Sequence, residues 1–248
     1  MKAVSISLVL LIGLFGSIAR SQDHRVTIFL AGDSTMAQKL AEKRPETGWG
    51  EMLGRHFKDG KVRIENRAAN GRSTKTFINE GKWQTIVDDL KKGDHVFIQF
   101  GHNDSSRDKG ERYTAPDEYR RNLIRFAEDV RAKGGHPVLL TPVMRRRFDK
   151  DGKFYDSHGE YPGIVRAVAK EYDVPLIDMH QMSETVIVRS GAEGSRRLFL
   201  HLKPGEHANY PNGVDDNTHF SPLGAEEMAK LVVEGIRESK TALRKYLK

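Results

Sequence analysis

The chain contains no cysteine, so it can form neither disulfides nor thiolate metal sites, and a lipid-modified cysteine is excluded as well. No apolar run reaches the roughly 20 residues that a membrane-spanning helix requires, and the longest, near the start, falls short. Neither GxGxxG nor GxxxxGK[ST] occurs, so the usual dinucleotide and phosphate-loop signatures are missing; the GRST at Gly71 to Thr74 lacks the spacing of a phosphate loop. Internal repeats, linkers and low-complexity tracts are absent too, which argues for one domain.

What is present fits an exported globular domain. The opening MKAVSISLVLLIGLFGSIARSQ combines a basic Lys2, an apolar stretch and a small-x-small site at Ala19 to Ser21. Residues 1–21 are therefore expected to be a signal peptide cleaved near Ser21/Gln22, leaving a domain over 22–248 that is secreted or periplasmic. At 38% hydrophobic residues this domain can bury an ordinary core. The formal net charge is +7, and +5 without Lys2 and Arg20, so the mature chain favours polyanions. Its basic residues are interspersed with Asp and Glu rather than gathered in an arm or an aromatic-interleaved stripe. That pattern argues against nucleic acid and for an acidic polysaccharide or anionic surface.

Short apolar runs bounded by Gly and Asp recur at Val26 to Leu30, Val62 to Glu65, His95 to Phe100, Pro137 to Thr141 and Pro175 to Ile177. They read as buried parallel strands. Between them lie helical patterns, clearest from Pro116 through Tyr119, Leu123, Phe126 and Val130 to a stop at Gly134, and again from a Ser221 cap with Pro222 behind it. Alternating strands and helices predict an α/β fold with a central parallel sheet of about five strands. Ala192 to Asp215, with its Gly and Pro residues, reads as a long connection that shapes a site or a lid.

Polar clusters stand where strands end or a helix begins: AGDSTMA at Ala31 to Ala37, NRAANGRST at Asn66 to Thr74, FGHND at Phe100 to Asp104, and DDNTHFS at Asp215 to Ser221. In a doubly wound sheet such loops converge on one edge. Ser34 is expected where the first strand turns into a helix, exposing its hydroxyl and its backbone N–H. A serine hydroxyl near neutral pH needs an imidazole within reach and a carboxylate to fix the ring's tautomer. His219 and Asp216 supply both, provided the backbone curls between them ahead of Pro222. The backbone N–H groups of Ser34 and Gly71 and the side-chain amide of Asn103 would complete an oxyanion hole. Singly, these residues also read as a helix cap, a turn glycine, a loop amide and a structural histidine; it is their order after successive strands that points to acyl transfer. No second histidine stands beside His219 at zinc-site spacing, so no metal is expected there.

These blocks resemble those of the GDSL or SGNH hydrolase superfamily, with Ser34, Gly71, Asn103 and His219 at the four positions that name it. GDST, the GWG at Gly48 to Gly50, NGRST, FGHND and DNTHFS together look like its rhamnogalacturonan acetylesterase branch. The resemblance implies a three-layer flavodoxin-like fold and cofactor-free deacetylation of a galacturonate-containing pectin backbone. On this reading the partner is an acetylated acidic polysaccharide or oligosaccharide. Arg72, Lys75 and Arg145, in the run Arg145 to Arg147, are candidates for its carboxylates, and His102 for a further substrate contact. A charge run more often makes a solvated face, and that reading is favoured for Arg145 to Arg147. Trp49 and Trp83 are expected in the core rather than stacked on sugar. The rival readings are another carbohydrate deacetylase or lipase with the same machinery, and a noncatalytic carbohydrate-binding protein.

Overall fold

Five short runs of aliphatic and β-branched residues build the sheet on which everything else is placed. In the computed structural model, which describes residues 25–239 and 241–248, they are β1 (Val26–Gly32), β2 (Val62–Asn66), β3 (His95–Gln99), β4 (His136–Leu140) and β5 (Leu176–Ile177). All neighbours run parallel, in the order β2-β1-β3-β4-β5. This is the doubly wound order in which connections leave in opposite directions between the first and third strands. The signal peptide assigned to residues 1–21 lies outside the described residues.

Helices cover both faces. Side chains alternate across a strand, so Ile28, Leu30, Phe97 and Leu140 pack against α1 (Trp49–Leu53), α6 (Met179–Gly194) and α7 (Pro222–Glu238). Phe29, Ala31, Val96 and Ile98 pack on the other side against α2 (Thr74–Asn79), α3 (Lys82–Asp89), α4 (Pro116–Ala132) and α5 (Tyr161–Glu171). Burial from both sides explains why these strands read as apolar runs rather than alternating ones. Trp49 and Trp83 are core residues, their ring N–H groups donating to Gln99 and Asp129. α7 begins as expected, with the Ser221 hydroxyl accepting from Gly224 N.

Two local expectations are corrected. The segment from Ala192 to Asp215 is not one connection: it finishes α6, forms a 3-10 turn at Ser195–Leu198, and enters β6 (Phe199–Leu202). β6 pairs antiparallel with β7 (Val214–Phe220), a two-stranded ribbon apart from the main sheet. Only residues 203–213 remain as loop. In addition, no helix follows Ser34. The chain makes a single turn, with Ala37 N donating to Asp33 O at 3.1 Å, and then leaves. The carbonyls that would continue a helix are taken from outside, Thr35 O by Trp49 N at 3.0 Å and Met36 O by Gly50 N at 3.2 Å. Gly48 makes this approach possible, since a Cβ there would lie 2.0 Å from Ala37 O. The GWG motif is thus a backbone clamp on the turn that carries Ser34.

Candidate active site

The loops at the carboxyl ends of β1, β2 and β3 meet where the strand order reverses, and hydrogen bonds fix them to one another. Ala69 N donates to Gly32 O at 2.9 Å, joining the loop after β2 to the end of β1. The Asn103 amide donates to Arg72 O at 3.0 Å, joining the loop after β3 to the one after β2. Ser34, Gly71 and Asn103 thereby line one cleft of about 590 Å³. Gly71 has φ of +74°, a left-handed conformation that costs a glycine nothing. Asn103 has a second amide hydrogen beyond the one used by Arg72. Among the described residues, no hydrogen bond to the protein occupies the N–H of Ser34 or of Gly71.

Asp216 and His219 arrive from the ribbon. Leu200 is opposite Asp216, yet Phe199 is opposite Phe220, so three residues of β7 bulge out between the two pairings. This is the curl that the spacing required. Asp216 Oδ1 holds it by accepting from Thr218 N at 2.7 Å and His219 N at 2.9 Å. The other oxygen, Oδ2, lies 2.7 Å from His219 Nδ1, and His219 Nε2 lies 2.9 Å from Ser34 Oγ. Burial alone would raise the Asp216 carboxyl; the bonds from His219 and the backbone outweigh it and lower the group to about 2. An ionised Asp216 therefore places the ring proton on Nδ1 and leaves Nε2 free to accept the serine proton, the polarity that nucleophilic attack needs.

A second Asp–His pair begins at Asp33, the residue before Ser34. His102 Nδ1 is 3.1 Å from Asp33 Oδ2, and Asp33 Oδ1 accepts from the N–H and hydroxyl of Thr35. His102 is 3% exposed, so this ring belongs to the floor of the cleft and offers little surface to a ligand. Arg72 pairs with Glu80 at 2.9 Å and lines an adjoining hollow with Gly71, Lys109 and Arg112, whereas Lys75 lies outside the cleft lining.

The run Arg145 to Arg147 is only in part a solvated face: Arg145 is half-buried, Arg146 buried and Arg147 exposed. Arg145 lines the cleft and donates to His102 O at 2.9 Å; Arg147 lines it too. Arg146 points away, is buried, and binds Ala192 O, the Ser195 hydroxyl and Asn217. Lys43, Lys109 and Arg112 add three cations that the motifs did not single out. The loop at residues 203–213 steadies the Lys43 wall: Asn209 donates to Ala41 O and Arg44 O at 2.8 Å, and the Tyr210 hydroxyl to Lys43 O at 3.0 Å. Lys39 and Glu46 were also missed; they lie buried beneath Ser34 in a lysine- and glutamate-rich stretch that reads as surface.

Asp156, His158 and His180 bring three ligand-type atoms within 4.8 Å of one another. Arg166 donates to His180 Nδ1 at 3.3 Å, which leaves the ring proton on Nε2, the nitrogen facing Asp156 Oδ2 at 3.1 Å. A metal ligand needs that nitrogen bare and its other N–H facing an acceptor. The trio is built as a hydrogen-bonded cluster around an ionised Asp156 rather than as a metal cage.

Comparison with known proteins places this geometry. The profile of the GDSL-like Lipase/Acylhydrolase family matches residues 30–226. Rhamnogalacturonan acetylesterase RhgT of Bacillus subtilis strain 168 is 44% identical over 222 residues, 90% of this chain and 94% of its own. A rhamnogalacturonan acetylesterase of Emericella nidulans is 27% identical over 240 residues, 89% of each chain. A solved structure of the Bacillus subtilis protein YxiM superposes with a TM-score of 0.73 at 25% identity, covering 87% of this chain and 57% of that longer one. By its sequence profile and its relatives, the chain belongs to the GDSL-like lipase/acylhydrolase family and is a carboxylic ester hydrolase.

Proposed function

We propose that the protein removes acetyl groups from an acidic pectic polysaccharide, rhamnogalacturonan, through an acetyl-enzyme on Ser34. Two relatives that share most of their length with this chain carry that activity in their names. One observation carries the substrate reading. The line Ser34–His219–Asp216 opens into a cleft with Lys43, Lys109, Arg112, Arg145 and Arg147 on its walls, and among the described residues no carboxylate forms an ion pair with any of them. Arg72, Arg120 and Arg166, outside the cleft, do pair with carboxylates. Unpaired cations around a nucleophile suit a ligand that brings its own carboxylates.

In the mechanism, the Ser34 oxygen attacks the acetyl carbonyl while His219 Nε2 takes its proton. The carbonyl oxygen, now negative, meets the N–H groups of Ser34 and Gly71 and the free amide hydrogen of Asn103. His219 then protonates the departing sugar hydroxyl, and water activated by the same imidazole releases acetate. Asp216 keeps the ring in the tautomer that both halves require. Acetate released from acetylated rhamnogalacturonan, xylan and homogalacturonan, measured side by side, tests the reading. It predicts the fastest release from rhamnogalacturonan; faster release from neutral xylan would overturn the role given to the cations. The same reading takes residues 1–21 as an export leader, and a mature terminus near Gln22 in protein recovered outside the cytoplasm would support it.

A further inference from the structure

Beneath Ser34 lies a lysine with nowhere to go in solvent. Lys39 is 3% exposed and uses its three hydrogens on three segments: Ser34 O at 2.5 Å, Asn70 Oδ1 at 2.8 Å and Glu46 Oε1 at 2.7 Å. The first contact holds the nucleophile turn from below. The second holds the loop that presents Gly71. Two oxyanion donors carried by different strand ends are therefore fixed to one ammonium, and their spacing depends on it. Glu46 is held from the other side, because the next residue, Thr47, bridges to Phe220, with Thr47 N donating to Phe220 O at 3.1 Å. Phe220 follows His219, so the bridge brings Glu46 Oε1 to 4.0 Å from His219 Nε2.

We propose that Lys39 and Glu46 form a buried positioning pair for ester hydrolysis. Lys39 sets the distance between the nucleophile turn and the Gly71 loop, and Glu46 presents a second carboxylate to the catalytic imidazole on its Ser34 side. The proposal rests on the reading of Ser34 and His219 given above. A carboxylate at that place favours the imidazolium that forms when Ser34 gives up its proton. Left unrestrained, it would also compete with Ser34 Oγ for Nε2; the bond to Lys39 holds it back. The titratable groups facing the imidazole are then Asp216 at 2.7 Å, Glu46 at 4.0 Å with Lys39 behind it, and the buried His102, which burial keeps from taking up a proton.

The test compares the parent, Lys39→Met, Glu46→Gln and the double variant on 4-nitrophenyl acetate, each checked by thermal melting. The read-outs are kcat, KM and the pH profile of kcat/KM. Lys39→Met should lower kcat about 100-fold with little change in KM, the cost of a misplaced donor set. It should also move the acidic limb of the profile upward, since Glu46 is left uncompensated. Glu46→Gln should move that limb down by about one unit, because an opposite charge is lost and Lys39 remains. The double variant carries no unpaired buried charge, so it should fold even where a single variant does not; its acidic limb should return to the parent's position while kcat stays low. A double variant with parental kcat, or an acidic limb that ignores both substitutions, overturns the pair and leaves the esterase reading intact. A parent inactive on the ester would sink both.

Discussion

Two Asp–His pairs stand close to Ser34, and the difference between them shows what burial does to identical chemistry. Asp216 and His219 are each 28% exposed at the side chain, while Asp33 and His102 are 0% and 3% exposed. In the first pair the ring has a second partner, Ser34 Oγ, at 2.9 Å. In the second, the buried Nε2 of His102 has none and the ring stands edge-on to His158, 4.9 Å away. Burial lowers the pKa of His102, opposed by Asp33, and discourages it from taking up a proton. Burial would raise Asp33, but His102 and the bonds from Thr35 hold it well below the usual carboxylate range. One dyad can cycle a proton at the cleft surface; the other is a locked strut under the nucleophile turn.

That contrast can be broken in order of expected effect. His219→Ala should reduce kcat by about 10⁶-fold with the fold intact, as loss of a member of a serine triad does; a loss under tenfold on acetyl ester would reassign the base. Asp216→Asn should cost about 10⁴-fold by favouring the wrong tautomer, read as kcat per folded molecule. Asp33→Asn should behave in the opposite sense. It puts an amide against His102 and should destabilise by about 3 kcal/mol, with a loss of kcat per folded molecule of tenfold or less. Urea unfolding beside active-site titration separates the two variants. If Asp33→Asn proved as inactive as Asp216→Asn while fully stable, the buried dyad would be catalytic and the distinction drawn from burial would fail.

Arg145→Ala should raise KM for acetylated rhamnogalacturonan about tenfold, the loss of one charge-assisted contact. Its KM for 4-nitrophenyl acetate should stay put, so the effect sits on the substrate side of the cleft rather than in either dyad. The smallest effect is on acid stability. Asp216 titrates near 2 in the folded chain, against an ordinary 3.8. Its contribution is present above pH 4 and is lost as pH falls through about 2. Asp216→Asn should therefore flatten that part of the stability curve by about 1–2 kcal/mol, measured by urea titrations between pH 5 and 2.

Much of this is legible in the amino-acid sequence alone. Strands buried on both faces announce themselves as apolar runs, and each of the five was found within a residue or two of its ends. Ser34, Gly71, Asn103, Asp216 and His219 were legible because acyl transfer needs those residue types, and the strand ends gave them a common edge. The ribbon of β6 and β7 was not, because its strands are partly exposed and the loop between them is rich in Gly and Pro. The turn after Ser34 was misread as a helix because its continuation is stopped by Trp49 and Gly50, contacts that local propensity does not encode. Lys39, Glu46, Lys109 and Arg112 sit in stretches so charged that they read as solvent-facing. Only the tertiary structure shows that the first two are buried and that the others face the cleft.

The central claim is that Ser34 carries the acyl group. Brief incubation with an activated organophosphonate ester, followed by peptide mass spectrometry, tests it in one step. The account predicts a single phosphonyl adduct on Ser34, formed quickly in the parent and hardly at all in His219→Ala. An adduct on another residue, or ester hydrolysis that continues undiminished after Ser34 is fully modified, would contradict it.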